Sequence, residues 1–113
     1  MNSLGLIEVQ SVAAAVDALD IMCKTANVEF VTWERRLGGR LVTVIVEGSV
    51  SAVTQAVEAA NEKCIKPLAA HAVITNPHEE TARILEISAS RTRRTYEERL
   101  AKDAENELYL QEV

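Results

Sequence analysis

The sequence predicts a single α+β domain of order β-α-β-β-α-β, an antiparallel sheet with two helices on one face, followed by a C-terminal helix. Three observations carry that prediction. Two stretches of helical periodicity, opening at Ser11 and Ser49, alternate with four short extended runs rich in apolar and β-branched residues. Only the short segment 34–40, with Gly38-Gly39 in it, separates the second run from the third, which makes those two a hairpin. Finally, 113 residues with 48% hydrophobic and 26% charged content suit one packed core.

Leu4-Gly5-Leu6-Ile7-Glu8-Val9 reads as the first strand, and Gln10-Ser11 turns the chain into a helix capped by Ser11. Val12, Val16, Leu19 and Cys23 step by four, three and four, so they are expected on one buried stripe of a helix reaching about Ala26. Val28-Glu29-Phe30-Val31-Thr32-Trp33 has the composition of a strand. Leu41-Val42-Thr43-Val44-Ile45-Val46, the most hydrophobic run, is expected to be central in the sheet. Val50, Val53, Val57, Ala60 and Cys64 form the stripe of a second helix that ends before Pro67. Residues 69–74 make the fourth strand, broken by Asn76-Pro77-His78.

From Glu79 to about Glu107 the chain reads as helical but less cleanly amphipathic. Ile84, Leu85 and Ile87 are the expected docking residues, and Ser88-Ala89-Ser90 is expected to weaken the helix. Beyond it Tyr96, Leu100 and Leu108-Tyr109-Leu110 are the apolar anchors of an exposed tail. A sheet with helices on one face leaves the other face and its edges uncovered. With a hydrophobic strand such as 41–46 exposed nearby, oligomerisation is expected.

Several function classes are disfavoured. A net charge of −5 offers no broad basic field for nucleic acid, although Arg91-Thr92-Arg93-Arg94 is a local basic run. Cys23 and Cys64 have no metal-ligand spacing and are expected to be buried, reduced core thiols. His71 and His78 have no partner at metal spacing, so neither metal nor cofactor is expected. Glu79-Glu80 suits a helix N-terminus, and no nucleophile-base arrangement can be assembled, which argues against an enzyme. No apolar run spans a bilayer and no secretory leader pattern opens the chain, so a cytoplasmic protein is expected. What is left is Arg36-Leu37-Gly38-Gly39-Arg40, which by itself is an ordinary hairpin turn with solvated charges or the working surface of the molecule.

Leu4-Gly5-Leu6-Ile7-Glu8, Lys24-Thr25-Ala26-Asn27-Val28, the block from Leu41 through Gly48-Ser49 to Val53, and Pro77-His78 together resemble the bacterial microcompartment (BMC) shell protein family, of the single-domain hexamer-forming type. The resemblance runs over residues 3–87 in order. It implies a ferredoxin-like BMC domain at 1–87 with a helical or mobile extension at 88–113, six subunits in a disc, and discs tiled with other shell proteins around encapsulated enzymes in the cytoplasm. It also implies that Arg36, Leu37, Gly38, Gly39 and Arg40 line a central pore for small polar metabolites. Lys24, Asn76, Pro77 and His78 would then make contacts at the hexamer edge, and the extension would bind cargo or a neighbour.

Two departures stand out. The usual family loop reads Glu-Lys-Ile-Gly-Ser-Gly, whereas Glu34 to Arg40 is one residue longer, and the usual Pro-Arg-Pro-His is replaced by Thr75-Asn76-Pro77-His78, which lacks the arginine. A distorted or open ring is the alternative geometry they imply. A small oligomeric regulatory module that binds a metabolite is the alternative function.

Overall fold

The computed structural model describes residues 2–112, with side chains as far as residue 108, so Tyr109 and Leu110 of the expected tail anchors lie outside the described side chains. Four strands, β1 (Ser3–Val9), β2 (Glu29–Arg36), β3 (Leu41–Gly48) and β4 (Ala70–Ile74), form one sheet in the order β2-β3-β1-β4. All three pairings are antiparallel. Helices α1 (Val12–Thr25) and α2 (Val50–Lys63) connect them, and α3 (Glu79–Glu112) follows.

The helices begin where their caps dictate. Ser11 Oγ accepts from the Ala14 amide and Ser49 Oγ from the Ala52 amide, satisfying donors that a first turn otherwise leaves unpaired. Alternation along β1 and β3 sends Ile7, Val9, Val42, Val44 and Val46 to one face, where they meet Ala14, Ala18 and Met22 of α1 and Val53, Val57 and Ala60 of α2. This is the main core, with both helices on one sheet face as the sequence predicts.

The buried stripe of α1 is not the expected one. Ala14, Ala15, Ala18 and Met22 are buried, whereas Val16 is 54% exposed and Cys23 is exposed. The two stripes lie roughly a third of a turn apart. Small alanines let α1 approach α2 and the sheet closely, and that contact outweighs burial of the bulkier valine stripe, which keeps only Val12 and Leu19 against the core margin. Cys64 is half-buried, and its Sγ donates to the Ala14 carbonyl at 3.4 Å, which ties the end of α2 to the start of α1. Val50, at the start of the expected α2 stripe, is exposed, while the rest of that stripe is in place.

β3 lies between β1 and β2 and is largely buried, as a central strand; it is not the exposed strand expected to drive oligomerisation. That description fits β4 instead. It pairs only with β1, and Ala70, His71, Ala72 and Val73 are all exposed.

The second sheet face is partly covered by α3. Thr32 and Glu34 pair with Ile45 and Thr43, the β3 residues that alternate away from α1 and α2, and both reach α3. Thr32 Oγ1 bonds Ser88 Oγ at 2.8 Å, and Ser88 also donates to Glu34 Oε1. The buried residues here are Leu4, Thr32 and Ile45 from the sheet and Ser88 and Ala89 from α3. Ser88-Ala89 therefore docks the helix instead of weakening it, because a short side chain at this point lets the helix backbone lie close to β2. α3 continues unbroken through Ser90. Ile84 and Ile87, expected to dock, are 59% and 49% exposed, and only Leu85 of that trio is half-buried. Every described side chain from Arg93 to Leu108 is exposed. With 34 residues at 1.5 Å each, α3 is about 51 Å long and sets the 54 Å longest dimension.

Candidate functional site: the β2–β3 turn and the opposite rim

The residues of the glycine turn are dictated by backbone conformation. β2 and β3 are joined by Leu37–Gly39, closed by a bond from the Arg40 amide to the Leu37 carbonyl at 3.4 Å. Leu37, Gly38 and Gly39 have φ of 53°, 66° and 89°, three successive residues in the left-handed region. Glycine enters that region without steric penalty, while leucine does so at a cost of about 1–2 kcal/mol. The turn accepts that strain at Leu37, whose side chain is 72% exposed.

Gly39 has a second constraint. A Cβ there would stand 3.0 Å from Val12 Cγ2, at the first residue of α1, whereas one at Gly38 would meet nothing within 4 Å. The turn thus rests against the N-terminus of α1 through Gly39 and presents Leu37 and Gly38 outward. Arg36 and Arg40 flank it, both exposed. Arg36, Leu37, Gly38, Gly39 and Arg40 are therefore brought together on one tip of the molecule.

Lys24, Asn76, Pro77 and His78 lie at the other end. α1 runs from the turn end back to the end where β1 and β2 start and β3 and β4 finish. Along β3 the two ends are roughly 23 Å apart. Lys24 forms an i,i+4 ion pair with Asp20 at 2.8 Å, and the hydrogen bond and charge of Asp20 raise its pKa above the ordinary lysine value. Asn76 adopts φ 48°, which turns the chain sharply between β4 and α3, and Pro77 follows. His78 Nδ1 accepts from the Glu80 amide at 3.1 Å and its carbonyl accepts from Ala82, so His78 opens α3. These four rim residues share an end of the sheet. Lys24 and the Asn76-Pro77-His78 kink nevertheless project from different layers.

No group of three or more His, Cys, Asp or Glu side chains among the described residues is placed to hold a metal ion. No helix among them is long and apolar enough to cross a membrane. Sequence reasoning missed one feature, a groove where β2 meets α3 beside Trp33 and Arg91. The spacing of Arg91, Thr95 and Arg99 on one helix face was the available signal.

The strand order, the two helices on one face and the exposed glycine turn define a small ferredoxin-like α+β domain. Its surface offers an exposed tip, an open strand and a rim. The family model described as the BMC domain matches residues 3–77, and the chain belongs to this family of bacterial microcompartment shell proteins. The bacterial microcompartment shell protein PduA of Citrobacter freundii is 41% identical over 86 residues, covering 74% of this chain and 91% of that protein. The carboxysome shell protein CsoS1C of Hydrogenovibrio crunogenus is 38% identical over 92 residues, covering 78% of this chain and 88% of that one. Among solved structures, a microcompartment protein from Desulfitobacterium hafniense DCB superposes with a TM-score of 0.67 at 27% identity. That match covers 78% of this chain and 48% of the other, so it spans about half the length of the solved chain. The α3 helix lies beyond the segment matched by the family model.

Proposed function

We propose that this chain is a structural shell protein of a bacterial microcompartment, not an enzyme, that assembles as a hexamer and tiles with other shell proteins. The placement of the glycine turn and the rim at opposite ends of the sheet carries the reading. Six such subunits about an axis bring Arg36-Leu37-Gly38-Gly39-Arg40 to the centre and leave Lys24, Asn76, Pro77 and His78 outside. Crowding at an axis favours a turn whose apex has no side chain, and Gly38 supplies it. Arg36 and Arg40, repeated in each copy, give the opening a positive potential that favours small anionic or polar metabolites. Leu37 forms the apolar constriction.

The open β4 strand and the exposed Val16, Phe30 and Val73 are the surfaces that subunit contacts cover. Residues 1–87 act as the shell domain and 88–113 as an extension available to cargo or a neighbouring subunit. The assembled shell stands in the cytoplasm. Asn76 in place of an arginine weakens flat tiling, while Lys24, paired with Asp20, retains one lateral contact.

Native mass measurement joined to electron microscopy tests the reading. A species of about 74 kDa, six times the 12.4 kDa chain, that forms rings, sheets or tubes supports it. A stable monomer in dilute buffer overturns it.

A further inference from the structure

Beyond the sheet, α3 runs free of the domain, and every described side chain from Arg93 to Leu108 is exposed. Its surface is nevertheless patterned. Tyr96, Leu100, Ala104 and Leu108 recur at steps of four, and with Ala101 they are all the apolar residues of that span. Residues four apart form a ridge along a helix, the unit by which helices pack against one another. With Tyr96, Leu100 and Leu108 in water, this ridge is one half of a helix–helix contact.

The charges identify the other half. Residues 91–99 carry four arginines and two glutamates, net +2, whereas residues 100–112 carry one lysine, one aspartate and three glutamates, net −3. A helix positive in one half and negative in the other is matched by a copy of itself lying antiparallel. Residues symmetric about Leu100 set the register. Tyr96 and Ala104 stand four positions on either side of it, a large side chain opposite a small one, and Arg93 and Glu107 stand seven positions on either side, on the same face. Glu97 and Asp103, three positions on either side, fall on opposite flanks of that face and do not meet. Within the subunit Arg93 pairs with Glu86 at 3.2 Å, but both side chains are mostly exposed, so that pair exchanges at little cost.

We infer that α3 pairs with α3 of a second copy of this chain, antiparallel about a two-fold axis at Leu100. Leu100 then meets Leu100, Tyr96 packs over Ala104, and two Arg93–Glu107 ion pairs close the ends. The pairing segment lies beyond residues 3–77, which the family model matches, so it is a property of this chain's extension. A six-fold ring contains no such two-fold axis. The pair therefore links subunits of different rings, or two free chains where no ring forms, and either reading can fail without the other.

Disulfide capture tests the pair in full-length protein carrying Cys23→Ser, because the native Cys23 is exposed. Under mild oxidation Leu100→Cys is expected to give a covalent dimer of about 25 kDa, twice the 12.4 kDa chain. It forms at least about tenfold faster than with Lys102→Cys, whose position faces away from the ridge. Adding Arg93→Glu or Glu107→Arg to the Leu100→Cys chain turns both end pairs into like-charge contacts and slows the dimer about tenfold, with circular dichroism unchanged. An equimolar mixture of those two chains restores the rate, since each offers the other the opposite charge. Equal rates at positions 100 and 102 overturn the inference, because they report collision alone. Single charge variants that crosslink at the unvaried rate, or a mixture that stays slow, overturn the antiparallel register and with it the inference. Leu100→Cys chains that remain single overturn it too, and assign the ridge to an unlike helical partner.

Discussion

Replacing the two turn glycines one at a time separates backbone strain from packing. Gly38→Ala and Gly39→Ala both place an L-residue at positive φ, at 66° and 89°. Each bears about 1–2 kcal/mol for that conformation, reduced by about 0.5 kcal/mol because alanine also restricts the unfolded chain. For Gly38 nothing more is added, since its new methyl points into open space. At Gly39 the methyl arrives 3.0 Å from Val12 Cγ2, and Val12 is held by the first turn of α1 and by the core margin. Displacing it adds about 1–2 kcal/mol. The expected losses are therefore about 1 kcal/mol for Gly38→Ala and about 2–3 kcal/mol for Gly39→Ala, or about 5 °C against about 10–15 °C in Tm. Urea and thermal unfolding, followed by circular dichroism over a range of protein concentrations, measure both and separate folding from assembly. Equal losses at the two positions, or a larger loss at Gly38, would refute the assignment of Gly39 as the residue that seats the turn on α1.

Four further outcomes follow from the same geometry. Ser88→Ala removes the partner of both Thr32 and Glu34, so stability falls by about 1–2 kcal/mol and hydrogen exchange in α3 accelerates; unchanged exchange would mean that the helix is docked by other contacts. Asp20→Asn returns the Lys24 pKa toward the ordinary lysine value. Because that pKa is raised in the folded chain, the stabilisation by the pair is present at neutral pH and lost as pH climbs through the folded value, which NMR titration of the Lys24 side chain follows; an unmoved Lys24 titration would sink the pairing. Lys24→Ala reduces sheet formation in electron micrographs before it affects ring mass, and loss of subunit folding would count against a rim role. Arg40→Glu leaves the subunit folded but slows passage of an anionic metabolite into reconstituted shells, and unchanged flux would show that the turn is not the conduit.

Much of the fold was legible because its signals are local. Ser11 and Ser49 announce helices through their own hydroxyls, and the β-branched run at 41–46 is too short and too apolar to be anything but an inner strand. The turn was legible for the same reason, since Gly38-Gly39 between two strands permits the left-handed backbone that the structure shows there. The face that α1 buries was not. Val16 and Cys23 are more hydrophobic than the alanines a third of a turn away, yet the alanines are inside because the depth of helix approach is set by α2 and the sheet together. Nor did Ser88-Ala89-Ser90 declare itself as a docking point, because a small polar side chain in a helix lowers propensity wherever it stands and becomes useful only when Thr32 and Glu34 face it.

The sequence by itself determined the element order, the helix starts, the glycine turn and the resemblance to microcompartment shell proteins, all of which rest on residue type and short-range spacing. Only the tertiary structure decided that the turn and the rim occupy opposite ends, that α3 covers part of the second sheet face, and that Ser88 meets Thr32 and Glu34. The docking of α3 depends on contacts between residues more than fifty positions apart, such as Thr32 with Ser88, and such contacts leave no periodic trace in either segment alone.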